Sequence, residues 1–74
     1  MEAIFNEVLV FATDIRTEND LQKIRIALNE MIEIHRWSID QEDVDCVLRV
    51  ESTLSANQIT ELLNSRKFDC AELE

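Results

Sequence analysis

The 74-residue chain contains no glycine. That absence excludes the Walker loop, the dinucleotide fingerprint and the nucleophile elbow, each of which needs glycine at a tight turn or a close backbone approach. A single histidine and no tyrosine leave little for acid–base or nucleophilic chemistry. Cysteine is scarce as well. Cys46 and Cys70 could form at most one bridge, and no CxxC spacing is present to lower either thiol's pKa. Basic residues are few: seven Lys and Arg face sixteen Asp and Glu, a formal charge of −9. Such a surface repels phosphate backbones and anionic lipid, which argues against nucleic-acid and membrane partners. The apolar runs are only a few residues long, against the ~20 a bilayer span requires. No charged-then-apolar leader follows Met1. The expectation is a complete cytoplasmic protein that is not an enzyme, carries no cofactor and keeps its cysteines as free, buried thiols.

What is present suffices for a small folded domain. Apolar residues make up 46% of the chain, too many for a disordered tail. The length allows one domain, residues 1–74, with a thin core, because a chain this short buries only ~60% of its unfolded surface.

Glu7 to Thr13 is a β-branched and aromatic run of strand length. Thr17 and Asp20 have capping-box spacing. Leu21, Ile24, Leu28, Met31 and Ile32 then form an apolar stripe, which predicts a helix from Glu18 to Glu33. Ile34, Trp37 and Ile39 mark a half-buried strand, and Gln41 to Asp45 a charged turn. Cys46, Leu48 and Val50 mark the second arm of a hairpin. Leu54 to Ile59 carries another capping box, Ser55 with Gln58, and a staple of Leu54 on Ile59. That helix should end near Lys67, and Phe68 to Leu73 should form a last strand. With right-handed crossovers, this order gives a ferredoxin-like α+β fold, βαββαβ. Its four-stranded antiparallel sheet carries both helices on one face.

The same residues resemble the heavy-metal-associated domain family of small copper chaperones and metal-pumping ATPases. Phe11 falls at the buried first-strand position of that family, and Leu21, Ile24 and Leu28 on its first-helix pattern. Ile34, Trp37 and Ile39 fit its second strand, and Phe68 the aromatic of its last, although the usual glycine before that aromatic is missing. The resemblance implies metal binding through Met-x-Cys-x-x-Cys in the first loop. Here that window reads Ile15-Arg16-Thr17-Glu18-Asn19-Asp20, so Thr17 and Asp20 stand where both thiols would be. Soft Cu(I) and Zn(II) need thiolate or imidazole ligands. The chain reads as a degenerate member with no metal expected at that loop.

Other clusters have plainer readings beside the chemical ones. Asp14, Glu18 and Asp20 could offer oxygens to a hard cation, and acids at a helix start also complement its dipole and cap its free N–H groups. Asp40-x-Glu42-Asp43-x-Asp45 resembles a calcium loop but has Val44 at position five and no glycine at six, which makes it a solvated hairpin tip. Cys46 and Cys70 open strands that are not neighbours in this topology, and His35 has no nucleophile near it in sequence. Arg66-Lys67 offsets the negative end of the second helix.

The open sheet face is the main candidate surface. If Leu9, Phe11 and Thr13 face the helices, then Val8, Val10 and Ala12 face outward, beside Val47. That patch is either a partner face or a floor screened by the stems of Arg36, Arg49 and Glu51. The expected function is a non-catalytic interaction or regulatory module that binds a protein partner or forms a weak homodimer. The alternative is a metal-ion carrier with non-standard ligands.

Overall fold

The computed structural model describes residues 7–73. Strand β1 (Glu7–Thr13) leads to α1 (Glu18–Asn29), the hairpin strands β2 (Ile34–Asp40) and β3 (Val47–Ser52), α2 (Ala56–Ser65) and β4 (Cys70–Glu72). The strands form one antiparallel sheet in the order β2-β3-β1-β4, with Phe11 opposite Leu48 and Trp37 opposite Val50. This is the ferredoxin-like βαββαβ topology that the element order implies.

Period-two alternation in the strands and the helical stripes aim at one core. Phe11, Ile15, Leu48 and Val50 meet Ile24, Leu28, Ile59 and Leu63, all fully buried. Both capping boxes form. Ser55 Oγ accepts from Gln58 N at 3.2 Å, while Gln58 Oε1 accepts from Ser55 N at 2.8 Å. Each box satisfies two N–H groups that would otherwise lack a partner at the helix start.

Four boundaries differ from the sequence expectation, and each has a local cause. Strand β3 opens at Val47 and not at Cys46, whose left-handed φ of 43° takes it out of the strand. Helix α1 stops at Asn29, a turn short of Glu33, with Glu30 as its C-cap. Met31 N then bonds Leu28 O at 3.2 Å and Ile34 N bonds Met31 O at 3.0 Å, a tight link that lets β2 begin at once. Ile32 therefore leaves the stripe and is 88% exposed. Helix α2 ends at Ser65 because Lys67 takes the left-handed φ of 71°. Lys67 N bonds Asn64 O at 2.9 Å and Phe68 N bonds Leu63 O at 2.9 Å, the paired bonds of a Schellman stop. That stop holds Phe68 in the core ahead of β4, so the last strand is shorter than Phe68 to Leu73.

Candidate functional site

The first loop, between β1 and α1, is a structural cap. Thr17 Oγ1 accepts from Asp20 N at 3.0 Å, and Asp20 Oδ2 accepts from Thr17 N and Arg16 N, each at 3.2 Å. These backbone donors, Thr17 N–H foremost, hold the Asp20 carboxyl below its ordinary pKa. The hairpin tip clamps the loop from the other side. Gln41 Nε2 donates to Ile15 O at 3.3 Å and to Thr17 O at 3.1 Å, and Arg16 Nη1 reaches Val44 O at 3.5 Å. Sequence reasoning missed these clamps, since they join residues 24 to 28 positions apart with no local pattern to mark them.

The three acids near this loop do not converge on a common point. Asp14 Oδ1 accepts from Asp69 N at 2.9 Å and fastens the link into β4. Asp20 caps α1, and Glu18 is exposed on its first turn. The acids of the hairpin tip are turn formers. Asp40 Oδ1 accepts from Glu42 N at 3.1 Å, and Asp43 Oδ1 from Asp45 N at 2.8 Å.

The two cysteines lie on opposite sides of β1. Thr13 pairs with Cys70 across β4, and its hydroxyl donates to Cys46 O at 2.6 Å on the β3 side. Two inter-strand spacings put the cysteines ~9–10 Å apart, too far for a bridge. Both are free thiols. Cys46 is buried, with Arg16 Nη1 3.7 Å from its sulfur. Cys70 is only half-buried, because it opens an edge strand. Burial pushes its thiol pKa up, against a smaller pull from the Thr60 hydroxyl at 3.9 Å. A thiol held in its protonated form is a poor nucleophile and a poor metal ligand. His35 is exposed on β2. Arg66, the C-cap of α2, pairs with Glu30, the C-cap of α1, at 3.4 Å. Among the described residues no three His, Cys, Asp or Glu side chains gather as a metal site, and no helix is long and apolar enough to cross a membrane.

The sheet face away from the helices is laid out in three rows. Arg36, Glu51 and Val8 form the first, and Ser38, Arg49 and Val10 the second, which Leu73 N extends by bonding Val10 O at 2.7 Å. Asp40 and Val47 begin the third, which continues through Ala12 to its partner Ala71. Val8 is 56% exposed, while Val10, Ala12 and Val47 are half-buried. Arg36 and Glu51 pair loosely at 4.0 Å, beside a shallow groove of about 330 Å³ that also borders Val8 and Arg49.

No family model matches the chain, and no curated protein matches it in sequence. Solved structures do match in shape. The apo form of the heavy-metal-associated domain of the copper chaperone for superoxide dismutase superposes with a TM-score of 0.80 at 16% identity, covering 100% of this chain and 76% of that one. The copper(I)-loaded first domain of the human chaperone gives 0.81 at 18% identity, covering 92% of this chain and 93% of that domain. The N-terminal domain of ZntA in its Zn(II) form gives 0.72 at 9% identity, covering 90% and 92%. The chain thus has the ferredoxin-like fold of the copper-chaperone domains, with a capping box of Thr17 and Asp20 where the resemblance places two metal-binding thiols.

Proposed function

We propose that this protein is a non-catalytic interaction or regulatory module. It is a single domain that acts in the cytoplasm through its open sheet face and not through a metal. One observation carries the reading. The central strand is apolar on both sides, yet helices cover only the side of Leu9 and Phe11. Antiparallel sheets with a free face usually alternate apolar and polar residues, and here Val8, Val10 and Ala12 break that rule. The metal reading is weakened at the same time, since Thr17 Oγ1 and Asp20 Oδ2 are engaged with backbone N–H groups.

A photo-crosslinking residue at position 10 tests the reading against the same residue at Lys23, which is exposed on α1. In native lysate, position 10 should give discrete protein adducts that unlabelled wild-type protein competes away. Equal, non-competed labelling from both positions would contradict the proposal.

A further inference from the structure

We infer that the occupant of the open face is a second copy of this chain, related by a two-fold axis that crosses the strands at the row of Ser38, Arg49 and Val10. This rests on the interaction-module reading above and names its partner. The rows themselves carry the argument. An axis perpendicular to the strands lays each strand over its own copy and reverses the order of the rows. Val10 then packs on Val10, and the larger Val8 covers the smaller Ala12. Arg36 of one copy comes over Asp40 of the other, twice per interface, because both lie on β2 four residues apart. Arg49 approaches its own copy at the axis, and Glu51, two residues along β3 on the same face, falls over Val47 of the other copy.

The charge distribution points the same way. The described part of the face holds Arg36 and Arg49 against Asp40 and Glu51 and is neutral, within a chain of −9. Face-to-face pairing leaves both helix layers outermost, so the acidic surfaces stand farther apart than the ~8–10 Å over which salt screens charge. The four-stranded patch covers roughly 350 Å² per copy on ordinary strand spacings. Counted over both copies this is about 700 Å², below the ~1,200 Å² total of stable complexes, so the dimer should be weak and best seen near millimolar concentration.

Sedimentation equilibrium from ten micromolar to one millimolar tests this on four samples: wild type, Arg36→Glu, Asp40→Lys, and the two variants mixed. Wild type should show a monomer–dimer equilibrium. Each variant alone should weaken it about 3–30-fold, because like charges then face each other twice. The equimolar mixture should regain wild-type association, because each mutant residue then meets its opposite charge. Mixing Lys23→Glu with Glu61→Lys, which shifts net charge equally on the helix layer, should give no such gain. Val8→Lys, at an exposed position, should abolish the dimer without unfolding the protein. A wild-type monomer at one millimolar, a mixture without rescue, or equal rescue by the helix-layer pair would overturn the inference. Competed adducts to other proteins at position 10 beside a wild-type monomer would leave the interaction-module reading standing. Their absence would remove it as well.

Discussion

Lys67 adopts φ of 71° in a chain without glycine, the conformation for which a Cβ is unfavourable. Releasing that contact is worth ~1–2 kcal/mol, and glycine's extra chain entropy returns ~0.5–1 kcal/mol of it. Lys67→Gly should therefore stabilise the protein by about 0.5–1 kcal/mol in urea denaturation, and a loss of stability would contradict the Schellman stop. Asp20 links residue chemistry to pH. Its folded pKa is depressed, so its contribution is complete above the unfolded aspartate value of ~3.9 and is lost as pH falls through the folded value. The stability gap between wild type and Asp20→Asn should close between about pH 5 and pH 2. A constant gap would show that the carboxylate is not the group that matters. Both capping residues were legible because a cap is written within four positions of sequence. The strained conformations of Lys67 and Cys46 were not, since neither residue type favours positive φ.

At the scale of elements, strand phase and helix starts could be read from period and caps, while helix ends could not. The α1 end is set by where β2 must join the sheet, a tertiary demand with no mark at Glu30 or Met31. The first loop is the element on which function divides. Thr17→Ala should cost ~1 kcal/mol, as loss of an N-cap usually does. Thr17 and Asp20 already exchange hydrogen bonds across the first helical turn. Their joint replacement by cysteine should therefore set two thiolates side by side and raise Zn(II) affinity above that of the parent. Failure of the double variant to gain any affinity would break the correspondence drawn between this loop and that of the metal-binding domains.

Over the whole molecule, the charge excess opposes compaction. The two ion pairs among the described residues, Arg36–Glu51 and Arg66–Glu30, are both exposed and worth little. Salt therefore screens more repulsion than attraction, and moving from dilute buffer to physiological ionic strength, which shortens the Debye length to about 8 Å, should raise Tm. The sheet order and both crossovers followed from the element sequence alone. The contacts that lock the site end of the molecule, Gln41 on the first loop and Asp14 on Asp69, are made by side chains brought together only on folding.

The central claim is that a chain with the fold of the copper-chaperone domains carries a helix cap, and not a thiolate pair, in its first loop. Calorimetric titration of the fully reduced protein with Zn(II), with Thr17→Cys/Asp20→Cys as the positive control, tests it most directly. The account predicts no one-to-one site of sub-micromolar affinity in the wild-type chain and a clear one in the double variant. Sub-micromolar one-to-one binding by the wild type would contradict it.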